Sequence, residues 1–312
     1  MDIKGEKCVN RRICIIVCLI ALTVACIFIL IGKQEKDTRL IAWTETIDSG
    51  SNYIKIYSMV NNSVVKTFPG SLIICFDKST LLCYESKGEN IVLYSISPKF
   101  VRETICTFHL KNYAQIIAYL DNRLYYTDDA YLKCVETSGE VKTIVKLKGT
   151  ERYKTFPQPS QDGKWTYSYM NDDGYYIDII DAYGAVVDTI KGIWPTWYDT
   201  NTQLFEEEPA TNHLMVYDCE TKTMKIFRDH LGNVYNTDYS LFYTGGIFID
   251  GDRKYLTYSS VQYQHFGPFE LNYPQGSKII IQDLQNGQKK EIQLSTQGIH
   301  TLWVIANMSS EE

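Results

Sequence analysis

The feature that most constrains the fold of this chain is a unit of about 40 residues that recurs along the sequence. Each unit contains a run of aromatic and β-branched residues, which predicts the second strand of that unit. The units are aligned on Leu40, Leu81, Leu124, Trp165, Leu204 and Tyr255. Successive residues of this set lie 39 to 43 positions apart, except for a final step of 51. A period near 40 with about four strands per unit is typical of a β-propeller.

The stretch that begins at Gly192 shows the strands of one unit most clearly. Its aromatic and β-branched runs are separated by turn formers and polar residues. The predicted strands of this unit are Ile193–Tyr198, Gln203–Glu206, Leu214–Asp218 and Thr223–Phe227. Third strands of the other units are predicted at Tyr53–Tyr57, Ile91–Ser95, Tyr131–Glu136, Tyr176–Asp181 and Lys278–Asp283.

The inner strands of the units indicate that the ring closes on itself. They are predicted at Ser71–Phe76, Ala114–Leu120, Thr155–Pro159, Ile193–Tyr198 and Leu241–Ile249. The first unit lacks an inner strand, and Ile299–Ala306 near the C-terminus has the composition of one. We therefore predict an all-β fold, a six-bladed β-propeller of four-stranded antiparallel blades over residues 39–307, closed by this C-terminal strand. Closure removes exposed sheet edges. The alternative, an open sandwich of irregular strands, would leave such edges exposed. Residues 308–312 would form a tail.

Two neighbouring segments carry a resemblance to a known family. Ser160–Tyr167 reads SQDGKWTY, and Tyr176–Gly184 reads YIDIIDAYG. Together they resemble the S-x-D-G-K…Y…I-x-x-x-D…G repeat of TolB-like six-bladed propellers, with weaker copies at Asp250–Tyr255 and Asp283–Gly287. The resemblance implies the propeller fold and says little about function.

The N-terminal region is predicted to anchor the chain in a membrane. Ile13–Gly32 is a run of 20 residues without a charge, long enough to cross the hydrocarbon core as a helix. Basic residues precede it and favour a cytoplasmic segment 1–12, with 33–38 as a linker to an extracytoplasmic propeller. We therefore predict a single-pass protein of the cell membrane. Lipoprotein processing at Cys26 is the alternative.

Composition disfavours several classes of function. A net charge of −6 at pH 7 lacks the basic surface that nucleic acid requires. The cysteines beyond the predicted span show no C-x-x-C spacing, so no metal and no cofactor are predicted; Cys75 and Cys83 could pair across a hairpin. No G-x-S-x-G, H-E-x-x-H, P-loop or G-x-G-x-x-G motif occurs.

Charge is distributed unevenly between the two kinds of turn. Turns between second and third strands are rich in acidic residues, and in a propeller they lie at one end of the ring. Turns between first and second strands lie at the other end and contain Lys78, Arg123, Lys164, Arg253 and Lys254. The acidic residues are Glu45, Asp48, Glu85, Glu89, Asp128, Asp129, Asp172, Asp173, Glu206, Glu207 and Glu208. We therefore predict an acidic face directed outward and a basic face directed to the membrane.

The longest unit carries an insertion, Ser259–Gly276, which we predict to be an aromatic loop on the acidic face. Long loops on a rigid scaffold often carry binding, and exposed aromatic residues are frequent hot spots; alternatively these aromatics pack over the channel mouth. The candidate partner-binding residues are Glu206, Glu207, Glu208, Asp172, Asp173, Tyr263, His265, Phe266, Phe269 and Tyr273.

Two functions from different classes follow from these features. The first is a membrane-anchored, monomeric propeller that recognises or scaffolds a protein or peptide through its acidic, aromatic face. The alternative is a hydrolase or lyase acting on a saccharide or peptide, with carboxylates in the central channel as acid and base. Calcium held by the acidic loops is a third, structural reading, which the absence of EF-hand spacing disfavours.

Overall fold

The computed structural model describes residues 39–46, 51–58, 61–73, 80–111, 113–128, 130–149, 155–207, 213–228, 244–250, 253–266, 271–285, 287–293 and 308–309. For residues 39, 46, 244–250, 253–266, 271–277 and 308–309 the description covers the backbone alone. The chain divides into two compact units, Met1–Thr38 and Arg39–Glu312. The first unit, with the predicted span Ile13–Gly32, lies outside the described residues. No helix in the described part of the chain is long and apolar enough to cross a membrane.

The described residues form six four-stranded antiparallel sheets, numbered here in chain order. Sheet 1 contains β1 (Arg39–Thr46), β2 (Asn52–Ser58) and β3 (Ser63–Pro69), with β24 (Met308–Ser309) beside β1. Sheet 2 contains β4 (Ser71–Leu72), β5 (Leu81–Lys87), β6 (Asn90–Ile96) and β7 (Arg102–His109). Sheet 3 contains β8 (Gln115–Leu120), β9 (Arg123–Thr127), β10 (Tyr131–Glu136) and β11 (Val141–Lys146).

The remaining sheets follow the same order of strands. Sheet 4 contains β12 (Gln158–Pro159), β13 (Trp165–Asn171), β14 (Gly174–Ile180) and β15 (Val186–Lys191). Sheet 5 contains β16 (Ile193–Trp197), β17 (Thr202–Glu206), β18 (Leu214–Asp218) and β19 (Thr223–Ile226). Sheet 6 contains β20 (Thr244–Asp250), β21 (Arg253–Phe266), β22 (Leu271–Asp283) and β23 (Lys289–Gln293). The fold is thus an all-β propeller of four-stranded antiparallel blades, as predicted.

Sheets 2 to 6 each use four consecutive strands, whereas sheet 1 takes its first strand from the far end of the chain. In that sheet Leu40 pairs with Met308 and Arg39 with Ser309. A C-terminal strand therefore completes the first sheet, as the missing inner strand indicated. The residues differ from the prediction, since β24 falls in the segment assigned to the tail, and Ile299–Ala306 lies outside the described residues.

Buried apolar clusters join each sheet to its neighbour. Sheets 1 and 2 share a cluster around Ile56 and Tyr94, and sheets 2 and 3 share one around Leu93 and Leu124. Further clusters join sheets 3 and 4, sheets 4 and 5, and sheets 5 and 6. Another packs Ile41, Trp43 and Tyr57 of sheet 1 against Ile279, Ile281 and Ile292 of sheet 6. Sheet 6 thus packs against sheet 1. Both faces of the middle strands are buried between neighbouring sheets.

Side-chain hydroxyls link second strands to the inner strand of the following sheet. The backbone N–H of Leu72, in β4, donates to Thr44 Oγ1 at 2.9 Å. Equivalently, the N–H of Trp194, in β16, donates to Ser168 Oγ at 3.2 Å. Both hydroxyl residues are buried. Because a buried N–H needs an acceptor, these bonds fix the point at which each inner strand enters its sheet.

Of the cysteines in the described residues, Cys83, Cys106, Cys134 and Cys219 are free. Cys83, for which the sequence allowed a bond to Cys75, is completely buried in the cluster between sheets 1 and 2. Burial raises the pKa of its thiol well above the ordinary value. It therefore acts as a small core residue.

Candidate functional site

The second-to-third-strand turns lie at one end of the propeller, which we call the upper end. Second strands of successive sheets run in the same direction around the ring, so β5, β9, β13, β17 and β21 all finish there. The predicted acidic residues of sheets 4 and 5 and the insertion of sheet 6 are therefore at the same end. Because sheets 4, 5 and 6 are consecutive neighbours through their buried clusters, these features share one sector of the upper end.

Acidic residues in sheets 1 to 3 are paired with basic neighbours. Lys55 lies 3.8 Å from Glu45, and Arg102 lies 2.6 Å from Glu85. Glu89 contacts both His109 and Lys111, and Lys133 pairs with Asp128. These partners come from third and fourth strands or the segment after them, which a count of turn residues omits. The predicted acidic face is thus largely neutralised over these three sheets.

Sheets 4 and 5 differ from sheets 1 to 3 because the exposed acidic residues described after their second strands have no ion-pair partner among the described residues. Asp172 and Asp173 are exposed in the turn between β13 and β14, and Glu207 is exposed after β17. None of the ion pairs among the described residues involves these three carboxylates. Glu206 is completely buried, so its carboxylate is not available to a partner in this conformation. Glu208 lies outside the described residues.

The insertion of sheet 6 is a pair of long strands, and the predicted loop Ser259–Gly276 is corrected accordingly. β21 and β22 stay paired from Tyr255 and Asp283 up to Phe266 and Leu271. The last described pairs with the flanking strands are Tyr258 with Thr244 of β20 and Lys278 with Gln293 of β23. Residues 261–266 pair with 271–277, and we call residues 259–266 and 271–277 the two-stranded ribbon.

Four of the predicted aromatic and histidine positions lie on this ribbon. His265 pairs with Asn272, and Phe266 with Leu271. Tyr263 and Tyr273 pair with Pro274 and Gln264, respectively. Phe269 lies outside the described residues. The segment was predicted to be a loop because it is the insertion of the longest unit.

The opposite, lower end carries basic residues that are also paired. Arg123 lies 3.0 Å from Glu136, and Lys164 lies 2.8 Å from Asp162. Lys164 Nζ also donates to Thr200 O at 3.1 Å, which ties sheet 4 to sheet 5. Lys78 lies outside the described residues, and the side chains of Arg253 and Lys254 are not described. The described basic turns therefore stabilise the ring.

Asp178, on β14, is a completely buried carboxylate that the sequence analysis missed. Thr189 Oγ1 donates to its Oδ1 at 2.7 Å, and Tyr169 Oη donates to the same oxygen at 3.3 Å. Tyr167 Oη donates to Oδ2 at 3.3 Å, and Lys148 Nζ lies 2.9 Å from Oδ2. These four donors satisfy the carboxylate, as a buried charge requires.

The environment of Asp178 gives it a structural role. Burial raises the pKa of Tyr167 and Tyr169, and the negative charge of Asp178 adds to this shift. Burial alone would lower the pKa of Lys148, but its bond to Asp178 and the charge of that carboxylate raise it. Lys148 belongs to the connection between β11 and β12. The network therefore fastens the exit of sheet 3 to the middle of sheet 4.

A second carboxylate joins sheets 4 and 5. Tyr217 Oη donates to Asp188 Oδ2, and Lys222 Nζ lies 3.5 Å from the same oxygen. Burial alone would raise the pKa of Asp188, but the Tyr217 hydroxyl, the Thr189 N–H and Lys222 lower it below the ordinary value. Within the described residues, no group of three or more histidine, cysteine or carboxylate side chains is placed to hold a metal ion.

Comparison with known proteins gives likeness in fold alone. No protein-family model and no curated protein matches the chain. A chain of a nidogen/laminin complex is similar over 86% of this chain and 97% of its own, with 10% identity and a TM-score of 0.49. A putative TolB from Agrobacterium tumefaciens is similar over 87% and 92%, with 11% identity and a TM-score of 0.46. A hypothetical selenium-binding protein from Sulfolobus tokodaii is similar over 90% of this chain and 96% of its own, with 7% identity and a TM-score of 0.47. Such low identity carries no information on ligand or activity.

Proposed function

We propose that this protein is a membrane-anchored, six-bladed, TolB-like propeller that recognises a protein partner through the upper end of sheets 4 to 6. Residues 13–32 would hold it in the cell membrane as a single-pass, monomeric protein, with the propeller on the extracytoplasmic side. The ribbon formed by residues 259–266 and 271–277 is the observation that carries the proposal. It belongs to strands β21 and β22 of 14 and 13 residues, whereas the second and third strands of the other sheets have at most 8 residues.

Charge supports the same sector of the surface. Asp172, Asp173 and Glu207 are exposed and take part in none of the described ion pairs, while Glu45, Glu85, Glu89 and Asp128, the described acidic residues of the corresponding turns of sheets 1 to 3, are paired. Unpaired carboxylates at a rim favour a partner with basic residues and speed its association. Aromatic residues are enriched at interface hot spots, and the ribbon sequence contains Tyr263, Phe266 and Tyr273.

The test is in-cell crosslinking and capture with the full chain and with a variant that lacks the ribbon. In this variant residues 262–276 are replaced by Asn-Gly, which leaves Val261 opposite Ser277 as the last pair and supplies a favoured two-residue turn. We expect a specific protein to be recovered with the full chain and lost with the variant. Equal recovery with both would contradict the proposal.

A second variant separates the charge from the ribbon. Changing Asp172, Asp173 and Glu207 to lysine is expected to weaken capture of the same protein, with an effect that diminishes at high salt. The matched control is Glu140→Lys, which changes an exposed residue in a third-to-fourth-strand turn at the lower end. An equal loss with the control would indicate a general effect of net charge. The hydrolase or lyase alternative stays a prediction.

A further inference from the structure

Two tripeptides in the chain have the form Asn-x-Ser, the acceptor sequence for N-linked glycosylation. The first is Asn61–Asn62–Ser63, and the second is Asn307–Met308–Ser309. Because such short motifs also occur by chance, the structural context decides which of them is suited to carry a sugar. An acceptor needs an exposed turn or loop with room for a bulky polar group.

The first tripeptide lies in the turn between β2 and β3 of sheet 1, which Ser58 and Ser63 close as a strand pair. Asn61, Asn62 and Ser63 are all exposed. The strand that follows, β3, is exposed or half-buried along its whole length. A glycan on Asn61 would therefore extend into solvent beside the outer strand of the sheet, without displacing a core side chain.

Hydrogen bonds hold this turn through groups other than the side chain of Asn61. The backbone N–H of Asn61 donates to Ser58 Oγ at 3.2 Å, and Tyr57 Oη donates to Asn62 Oδ1. Asn62 adopts the left-handed conformation, with φ +52°, which asparagine tolerates better than most residues. None of the hydrogen bonds described for this turn uses the side-chain amide of Asn61 or the hydroxyl of Ser63. The two groups on which the modification depends are therefore not needed to hold the turn.

The second tripeptide has a different context. Met308 and Ser309 form β24, where they pair with Leu40 and Arg39 of β1. Asn307 lies outside the described residues. Because two residues of this tripeptide belong to a strand of sheet 1, we expect it to stay unmodified, and it serves as the internal comparison for the first.

We propose that Asn61 is a site of N-linked glycosylation, with a lipid diphosphate-linked oligosaccharide as the donor. In the transfer, the bond between the anomeric carbon of the sugar and the diphosphate oxygen breaks, and a bond forms from that carbon to Asn61 Nδ2. The amide gives up one proton, and the lipid diphosphate leaves as an anion. This inference rests on the extracytoplasmic location in the proposed function, because N-linked glycans belong to the surfaces of secreted or exported chains.

Asn61 lies away from the proposed partner site. Turns between third and fourth strands are at the lower end, and in sheet 1 these strands are β2 and β3. The exposed carboxylates of Asp172, Asp173 and Glu207 are at the upper end. A glycan on Asn61 would therefore cover the lower, outer rim of sheet 1 and leave the upper end open to a protein.

The test begins with the full chain isolated from the membranes of the cells that produce it. Peptide N-glycosidase in heavy-oxygen water converts a glycosylated asparagine to a labelled aspartate, which mass spectrometry locates in a protease digest. We expect the label at residue 61 and none at residue 307. In the same cells, Asn61→Gln should abolish the shift in gel mobility that the glycosidase produces, while Asn307→Gln should keep it. An unlabelled Asn61 overturns the inference.

A reporter site separates this inference from the proposed function. Ser138→Asn combined with Glu140→Thr creates an acceptor in the exposed turn between β10 and β11, at the same end of the propeller. A modified reporter beside an unmodified Asn61 overturns the inference and supports the extracytoplasmic location. If neither is modified, the inference is overturned, and capture of the protein partner still decides the proposed recognition. Capture should be equal for the original protein and Asn61→Gln, because the turn lies at the opposite end from the partner site.

Discussion

The body of the propeller and the ribbon of sheet 6 are built in different ways. In the body, both faces of a middle strand are buried against neighbouring sheets, and even a carboxylate such as Asp178 is enclosed by donors. In the ribbon, β21 and β22 pair with each other beyond the last pairs of β20 and β23. We infer from this difference that contacts between sheets supply the stability of the body, and our proposal assigns recognition to the ribbon.

The interfaces of the body also differ among themselves. Between sheets 2 and 3 the cluster is apolar, with Ile91, Leu93 and Phe108 against Ile116 and Leu124. Between sheets 3 and 4 the apolar cluster is joined by the network of Asp178. Removing a side chain from an apolar interface leaves a cavity and lowers the stability of the protein. Removing the partners of a buried charge lowers the stability more, because the charge is then uncompensated.

The largest effect is expected for Asp178→Ala. The change removes the acceptor of the buried Tyr167 and Tyr169 hydroxyls, and because each buried donor left unsatisfied costs about 1–3 kcal/mol, a loss of about 2–6 kcal/mol is expected. The free energy of unfolding by urea measures the loss. Asp172→Ala, in an exposed turn, is the control and should stay within about 0.5 kcal/mol of the original protein. A similar small change in both variants would show that the network contributes nothing.

A somewhat smaller effect is expected for Leu93→Ala, between sheets 2 and 3. Leu93 is completely buried, and removing a buried leucine costs about 2–5 kcal/mol through lost transfer energy and the cavity left behind. Val101→Ala, at a half-exposed position before β7, is the comparison for urea unfolding. If both variants unfold at the same urea concentration, the interface between these sheets does not stabilise the body.

Gly184→Ala tests a close approach between sheets 3 and 4. Gly184 has φ +91°, and an added Cβ would lie 2.0 Å from the carbonyl oxygen of Ile144 in β11. Gly139 has a similar φ of +88° in the corresponding turn of sheet 3, with no atom within 4 Å of an added Cβ. Gly139→Ala should cost about 1–2 kcal/mol from the backbone conformation alone. We expect Gly184→Ala to lower the unfolding temperature more; equal shifts would exclude the predicted clash.

Asp188→Asn should change how stability depends on pH. Because the folded protein lowers the pKa of Asp188, this carboxylate contributes stability above its unfolded pKa of about 3.9, and the contribution is lost as pH falls through the folded pKa. The variant should therefore be less stable than the original protein at neutral pH and approach it at strongly acidic pH. Urea unfolding at a series of pH values measures this, and a constant difference would contradict it.

The sequence predicted the strands well because the repeat imposes their order. All six residues used for alignment fall in β1, β5, β9, β13, β17 and β21. Strand β12 is shorter than predicted, Gln158–Pro159 in place of Thr155–Pro159. Loop composition could not predict the ion pairs of the upper end, because Arg102 and Lys133 approach from other strands.

Asp178 shows why the rest could not be read from the sequence. Alternation along Tyr176–Ile180 suggests that a polar residue between isoleucines faces solvent. In a propeller both faces of a third strand are covered, so the same aspartate is buried and must find donors from Lys148, Tyr167 and Thr189. The insertion was predicted to be a loop because it lengthens its unit, whereas the structure accommodates it by lengthening β21 and β22, with a bulge at Gln275 beside Pro274.

The most direct test of the account compares the full chain with the variant in which residues 262–276 are replaced by Asn-Gly, measuring urea unfolding and partner capture on the same two preparations. Because all pairs described for residues 262–276 are with one another, the account predicts a change in stability within about 0.5 kcal/mol and loss of the captured protein. Strong destabilisation would show that the ribbon belongs to the body. Unchanged capture would show that recognition takes place elsewhere, and either result would contradict the division between body and ribbon.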